Sequence, residues 1–186
     1  MRKFGFFVSF AILLVSMSIS ARAADQRDLD SQVRAETFLR RGLNYYANGD
    51  ADHAIADFGA AIRLDSKNSM AFNNRGSAYN MRGDGERAIA DYNEAIRLDP
   101  TNAMAFRNRA LLYLGRGDHN RALADLNEAI GLDPNHATAL LWRGVVYGAM
   151  GKTVSADADW DKAMRLDPEK ADSFFKDIGK MMPQRN

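Results

Sequence analysis

The sequence predicts an all-α protein in which four helix hairpins stack into an α-solenoid and a last helix caps the stack. Related phrases return every 34 residues, each return contains two stretches of helical periodicity, and glycine and proline recur where those stretches end. The phrases "AIRLDSKN", "AIRLDPTN", "AIGLDPNH" and "AMRLDPEK" start at Ala61, Ala95, Ala129 and Ala163. Such a period is typical of stacked repeats, because one hairpin cannot bury its apolar face alone.

The repeat divides the chain into seven segments. These are a signal peptide (1–23), a lead-in (24–34), four units (35–68, 69–102, 103–136 and 137–170) and a capping helix with its tail (171–186). The last segment begins like a fifth unit and then loses the pattern, which is expected of a helix that closes the open end of a stack.

The first 23 residues have the pattern of a secretory signal. A basic start, "MRK", precedes an apolar run diluted by serines, and small residues stand at Ala21 and Ala23. This pattern predicts export, with cleavage after Ala23, to the periplasm or the medium. The alternative is an uncleaved membrane anchor, which the short run disfavours because a stable span takes about 20 apolar residues. We therefore expect no stable membrane insertion after cleavage.

Each unit is expected to form two helices with one apolar face each. The first has an aromatic residue or leucine at unit position 4 and tyrosine at position 11, and the second has alanine at positions 20 and 27. Seven residues are about two turns, so each pair shares a helix face. A bulky apolar residue stands between the alanines at position 24, which favours close interlocking of neighbouring helices. Position 24 holds Phe58, Tyr92, Leu126 and Trp160.

The helix ends recur as regularly as the helices. Glycine stands at position 15 in every unit and aspartate follows it in three, which predicts a left-handed helix end and then an N-cap. Proline at position 32 displaces the preceding residue from helical geometry, and we expect Asn68 and Asn102 to cap the next helix. Ser66 replaces this proline in the first unit, so its last turn is expected to be less sharply defined.

Arginine at position 7 and aspartate at position 23 occur in every unit. Both lie eight residues from the turn glycine, so they sit at matching heights, roughly 12 Å from the turn, on antiparallel helices. We expect planar, bidentate pairs within a unit or between adjacent units. The alternative is that each side chain faces solvent separately.

The spacing of glycine at position 8, tyrosine at 11, alanine at 20 and 27 and proline at 32 resembles the tetratricopeptide repeat family. Gly42, Gly76 and Gly144 occupy position 8, and Ala110 is the exception. The family's tryptophan and leucine at positions 4 and 7 are absent. The resemblance covers residues 35–170 and implies a right-handed superhelix that binds proteins in a concave groove lined by the first helices.

The resemblance also implies which side chains line the groove, namely those at positions 2, 5, 6 and 9. From these we predict a partner groove formed by Arg40, Leu43, Met70, Asn73, Asn74, Ser77, Met104, Arg107, Asn108, Leu111, Leu141 and Trp142. Chaperone-binding members carry lysine and asparagine where Leu39 and Leu43 stand, so a clamp for chaperone tails is not expected. Trp142 is interpreted as a groove anchor; the alternative is that Phe174 or Phe175 of the capping helix covers it.

Other functions find little support in the sequence. The formal net charge is +1 without a basic cluster, which argues against nucleic-acid binding. The stretch "YGAMGKT" lacks the first glycine and the preceding strand of a phosphate-binding loop. The three histidines are not spaced as metal ligands, and no serine has the setting of a nucleophile. We expect no catalytic site, no metal and no cofactor.

The predicted function is therefore an exported adaptor. It would hold a segment of another protein or peptide in its groove within an envelope-associated assembly. The alternative is a structural module that forms homo-oligomers through its helical faces.

Processing supplies the first prediction. If residues 1–23 are a cleaved signal, exported protein begins at Ala24, because the small residues at Ala21 and Ala23 fit the peptidase. Intact-mass measurement of the exported protein checks this, and retention of Met1 would contradict it.

Overall fold

A computed structural model describes residues 25–26 and 28–181, and this part of the chain is helical without strands. Helix α1 covers residues 28–47. The others are α2 (Ala51–Leu64), α3 (Ser69–Met81), α4 (Gly85–Leu98), α5 (Ala103–Gly115), α6 (His119–Leu132), α7 (Ala137–Ala149), α8 (Thr153–Leu166) and α9 (Pro168–Met181). Within these residues no helix combines the length and apolar character of a membrane span. The predicted signal peptide and its cleavage site lie outside the described residues.

The chain divides after Lys67 into two compact bodies. The N-terminal body contains the hairpin of α1 and α2. In the C-terminal body α3 packs on α4, α5 on α6 and α7 on α8, and each of these hairpins contacts the next. Helix α9 packs on both α7 and α8. The predicted all-α order of hairpins followed by a capping helix is confirmed.

Each hairpin closes through contact between a small residue at position 8 and the bulky residue at position 24. A Cβ atom added to Gly42 would lie 2.7 Å from the Phe58 ring, and one added to Gly76 would lie 2.8 Å from the Tyr92 ring. Both distances are too short for a methyl group. The exception is Ala110, whose unit has a leucine without a ring at position 24. The size of residue 8 therefore follows the size of residue 24.

The turn between the two helices of a unit depends on the glycine at position 15. At all four positions φ is positive, as at Gly83 with 84° and Gly117 with 74°. This left-handed conformation lets the Asp84 N–H reach the Tyr79 carbonyl at 2.9 Å. The Asp84 side chain then accepts a hydrogen bond from the Arg87 N–H and caps α4. The predicted turn and caps, including those at Asn68 and Asn102, are confirmed.

The last turn of the first unit is as sharply defined as the others, so that expectation was wrong. Asp65 has φ −134° and ψ 92°, and Asp99, which precedes a proline, has φ −137° and ψ 92°. In both turns the aspartate carboxylate accepts the N–H two residues later, from Lys67 or Thr101, at 3.0 Å. This local hydrogen bond holds the turn without a proline.

Two helices extend beyond the predicted segments. Helix α1 already includes residues 28–34 of the lead-in. Helix α9 begins at Pro168, three residues before the predicted cap, because proline suits the first helical position. Asp167 caps α9 by accepting the Lys170 N–H at 3.0 Å.

The predicted arginine–aspartate pairs form in all four units. In the second unit Arg75 donates through Nε and Nη2 to the two carboxylate oxygens of Asp91, at 2.7 and 2.8 Å. The other pairs are Arg41–Asp57, Arg109–Asp125 and Arg143–Asp159. Each pair joins the two helices of one hairpin. The alternative of separate solvent exposure is excluded, since every one of these aspartates is buried.

Two of these arginines also bind the preceding hairpin. Arg109 Nη1 donates to Asn93 Oδ1 at 2.6 Å, and Arg143 Nη1 donates to Asn127 Oδ1 at 2.9 Å. Both asparagines stand at position 25 of the preceding unit. One guanidinium thus closes its own hairpin and links it to its neighbour.

The closing contact makes a second prediction. Gly144→Ala should lower the free energy of unfolding by about 1–3 kcal/mol, because the methyl group would overlap the Trp160 indole. Gly131→Ala is the matched control: beyond its chain neighbours and its own helix backbone no atom lies within 4 Å of the added Cβ, and it should stabilise by about 0.4–1 kcal/mol. Urea unfolding measures both, and equal effects would contradict the packing argument.

Candidate functional site

The first helices of the C-terminal body lie on its concave side. Helices α3 and α5 are in contact, as are α5 and α7, whereas the second helices α4, α6 and α8 do not reach one another. Hairpins that touch along one edge and separate along the other must curve toward the touching edge. We call the surface formed by α3, α5 and α7 the inner face.

Several predicted groove residues are accessible there. Met70 is 51% exposed and Met104 is 50% exposed. Partly exposed residues of the inner face are Asn74, Ser77, Arg107, Asn108, Leu111 and Trp142. In the N-terminal body, Arg40 and Leu43 are exposed on α1. Apart from Trp142, which contacts the capping helix, these residues are therefore available to a partner, although partner binding itself stays a prediction.

Two predicted groove residues are buried instead. Leu141 has no exposed surface and belongs to the core between α7 and its neighbours, where its carbonyl accepts the Trp160 indole N–H at 3.2 Å. Asn73 is 5% exposed, because its side chain points into the contact between α3 and α5. Neither side chain can contact a partner directly.

Asn73 belongs to a polar network that joins α3 and α5. Asn108 Nδ2 donates to Asn73 Oδ1 at 3.1 Å, and Asn73 Nδ2 donates to Asn74 Oδ1 at 3.3 Å. Ser77 Oγ lies 3.2 Å from the Tyr92 hydroxyl. Sequence reasoning missed Tyr92; its signal is that position 24 carries a hydroxyl in this unit alone. The network shows that Asn108 serves the packing of adjacent units.

Trp142 contacts the capping helix, as the alternative interpretation held. Its ring meets the Phe174 ring edge-on, with centroids 5.0 Å apart. Phe174 contacts Phe175, and Phe175 contacts Trp160 at 5.8 Å. Helix α9 lies against α7, where a fifth unit would begin, and so covers this part of the inner face. Trp142 is thus an element of the cap.

The inner face carries no carboxylate. Helices α3, α5 and α7 contain neither aspartate nor glutamate. Three of their arginines pair with aspartates of α4, α6 and α8. Arg107 stands at position 5, partly exposed, one turn after Met104. Helices α3, α5 and α7 therefore contribute neutral and basic side chains to the inner face, while α9, which adjoins α7, exposes both Asp172 and Lys176.

The charge of Arg107 acts on His136 at the start of α7. Burial lowers the pKa of His136, and the charges of Arg107 and Lys170 lower it further, while Asp133 acts in the opposite direction. His136 stands where Asn68 and Asn102 cap their helices, yet its side chain makes no capping bond to α7. The surroundings of the His136 ring therefore favour its neutral form.

Other candidate chemistry does not assemble in the described residues. No group of histidines and carboxylates there could hold a metal ion. Gly151 of the "YGAMGKT" stretch has φ 75° and forms the turn between α7 and α8. This stretch has the same role as the turns of the other units.

Comparison with known families agrees with this geometry. Models described as tetratricopeptide repeat match residues 39–103 and 91–124, and one described as TPR repeat matches residues 113–151. Together they span most of the four units. No curated protein matches this chain significantly.

Solved structures with the same fold include crystal structures of MamA. One is 28% identical, covers 74% of this chain and 81% of that chain, and superposes with a TM-score of 0.66. A thermophilic TPR protein of Thermus thermophilus is 22% identical, with coverages of 78% and 83% and a TM-score of 0.67. The first TPR of Spaghetti (RPAP3), bound to HSP90 peptide SRMEEVD, is 23% identical, with coverages of 64% and 98% and a TM-score of 0.63. The α-solenoid fold class is confirmed.

The aromatic contact of the cap makes a third prediction. Trp142→Ala should lower the free energy of unfolding, and a cycle with Phe174→Ala should give a coupling of about 0.5–1.5 kcal/mol, because the two rings contact edge-on. Urea unfolding of the single and double variants measures it. Effects that add within about 0.3–0.5 kcal/mol would contradict the contact.

His136 makes a fourth prediction. Because its pKa is lowered in the folded state, the unfolded chain takes up the proton first, and stability falls as pH decreases through the ordinary histidine range, about 8 to 5. His136→Asn should remove this part of the pH dependence and add a cap like that of Asn102, worth about 1 kcal/mol.

The measurement is urea unfolding across this pH range. His53→Asn is the control, since it leaves His136 in place and should keep the dependence. An unchanged profile in His136→Asn would contradict the assignment.

Proposed function

This chain belongs to the tetratricopeptide repeat family, and on that premise we propose that it is an exported adaptor. It holds a segment of a partner protein against its inner face, within an assembly of the cell envelope. Nothing in this role requires a catalytic residue or a cofactor.

The exposure of Met70 and Met104 carries the proposal. Both stand at position 2 of their units, on adjacent helices that touch, and each is about half exposed, at 51% and 50%. Methionine is enriched at protein interfaces, where its flexible thioether adapts to different surfaces. Two exposed methionines at aligned positions on a concave face suit apolar anchors of a bound segment.

A solved structure of this fold supports the choice of a peptide-like partner. The first TPR of Spaghetti (RPAP3) is bound to an HSP90 peptide. The present chain has Leu39 and Leu43 in place of the polar residues that a chaperone-tail clamp uses. We therefore propose a segment of a different protein, reached after export.

Export rests on the pattern of residues 1–23. A basic start, an apolar run and small residues before Ala24 direct the chain across a membrane. A repeat stack released there can bridge other envelope proteins. This also separates the chain from cytosolic chaperones.

Self-association is the alternative, and the charged surface of α9 at the C-terminal end of the stack disfavours it. The side chains that α9 turns to solvent are mainly charged, among them Asp172, Lys176 and Asp177. A charged outer face is typical of a helix that terminates a stack. Further stacking on α9 by a second copy would bury these charges.

Photo-crosslinking tests the adaptor role and is the fifth prediction. Met104 is replaced by p-benzoylphenylalanine in cells that export the chain, and Arg97 is replaced as the control. The Arg97 side chain is 66% exposed on α4, away from the inner face. Irradiation should give a discrete heavier adduct from position 104 and none from position 97.

The other outcomes contradict the proposal. Equal adducts from both positions would indicate nonspecific contact. An adduct with the mass of two copies, together with a dimer in light scattering, would establish self-association.

A further inference from the structure

We propose that Asn48 is a site of spontaneous covalent modification, at which the side-chain amide is lost and the residue becomes isoaspartate or aspartate. Asn48 lies in the turn between α1 and α2 of the N-terminal body, directly before Gly49. The inference is independent of the proposed function, because the reaction needs only these two residues and water.

The reaction joins two groups of neighbouring residues. The Gly49 main-chain nitrogen gives its proton to hydroxide and attacks the side-chain carbon Cγ of Asn48. A nitrogen–Cγ bond forms, the bond from Cγ to Nδ2 breaks, and Nδ2 takes a proton from water and leaves as ammonia. Water then opens the five-membered ring at either carbonyl, which gives aspartate or isoaspartate. No atom is oxidised or reduced.

The surroundings of this turn leave the reacting groups open to solvent. Both Asn48 and Gly49 are exposed. Gly49 has no side chain beside its nitrogen, and beyond its chain neighbours no atom lies within 4 Å of the place where a Cβ would stand. Hydroxide can therefore reach the Gly49 nitrogen, and water can reach the ring that forms.

Asn48 is the one asparagine of the sequence that precedes glycine. Asn68 and Asn102 precede small residues as well, but their Oδ1 atoms cap α3 and α5 by accepting the N–H of Ala71 and Ala105, at 3.0 and 3.1 Å. The other internal asparagines precede larger residues, whose side chains hinder the following nitrogen. Asparagine is a thermally labile residue in proteins, and this chain concentrates that lability in one turn.

The folded turn restrains the reaction and sets its rate. The Gly49 N–H donates to the Tyr46 carbonyl at 3.0 Å, and Asn48 Nδ2 donates to Asn44 Oδ1 at 3.1 Å. Both reacting groups are thus held in other contacts, so attack proceeds from turns that have opened transiently. An exposed turn opens at a small cost in free energy. The rate of amide loss therefore reports the opening of this turn.

Isoaspartate alters the turn more than aspartate does. It routes the main chain through the former side chain and lengthens the backbone by one carbon before Gly49. The Asp50 N–H reaches the Tyr45 carbonyl at 2.9 Å across this bond, and the Asp50 side chain caps α2. We therefore expect the modified turn to lose this hydrogen bond, and the start of α2 to open more often.

Mass spectrometry of the stored protein tests the site. The purified full chain is kept folded at mildly alkaline pH, and its peptides are followed for the mass change from amide to acid. The peptide with Asn48 should convert several-fold faster than any other asparagine peptide, with isoaspartate in excess of aspartate. Ion exchange separates the modified fraction by its added negative charge, and hydrogen exchange should be faster there at the start of α2.

Two substitutions remove the reaction from one turn and introduce it in another. Asn48→Arg copies Arg82 and Arg116, which stand at the same place in the second and third units, and should abolish the conversion. Arg82→Asn places asparagine before Gly83, whose φ of 84° matches the 79° of Gly49, and should add a second converting site. Circular dichroism shows that each variant is folded, and urea should accelerate the conversion several-fold.

The outcomes decide the inference. Conversion of Asn48 no faster than that of Asn135, which lies in the exposed turn before α7 and precedes histidine, overturns it. A folded Arg82→Asn chain that gains no converting site also overturns it. Equal rates with and without urea overturn the assignment of the rate to opening of the turn.

Discussion

The contact between position 8 and position 24 is the constraint on which each hairpin depends. A ring at position 24, as in Phe58 or Tyr92, lies where a Cβ at position 8 would stand, so that position is glycine. Where position 24 is Leu126, Ala110 is tolerated. The close approach of the helices brings the arginine at position 7 within reach of both oxygens of its aspartate. In each pair the aspartate is buried, so the arginine supplies the opposite charge that this carboxylate needs away from water.

The same arginines also link adjacent hairpins to each other. Arg109 holds Asp125 in its own unit and Asn93 in the unit before, so its position is determined from two sides. Because neighbouring first helices of the C-terminal body touch while its second helices do not, this body curves and exposes its first helices on the concave side. The side chains that hold the helices together point between helices. Positions such as those of Met70 and Met104 take no part in these contacts and can therefore vary.

The features that repeat could be predicted from the sequence, and those confined to one unit could not. Aligning the chain with itself identified the turn glycines, the caps and the arginine–aspartate pairs, because each recurs with the same residue type. Asn73 and Leu141 both stand at position 5 and are buried, but through different neighbours, since Asn73 accepts a hydrogen bond from Asn108 and Leu141 belongs to the apolar core. The Tyr92–Ser77 contact likewise depends on a hydroxyl present in one unit. Such contacts arise between distant residues and leave no periodic signal.

The residues that differ between units determine what the inner face can bind, and the overall composition does not reveal how they are distributed. A formal net charge of +1 suggests a chain without electrostatic preference. Between residues 69 and 167, however, the acidic residues stand on the second helices and in the turns, while α3, α5 and α7 have only basic and neutral ones, and α9 adds Glu169, Asp172 and Asp177. Aspartates on the second helix of the same hairpin neutralise Arg75, Arg109 and Arg143. Arg107 lies on α5 at position 5, which takes no part in these arginine–aspartate pairs. A near-neutral protein can therefore distribute its charges unevenly, because acidic and basic residues are separated by helix.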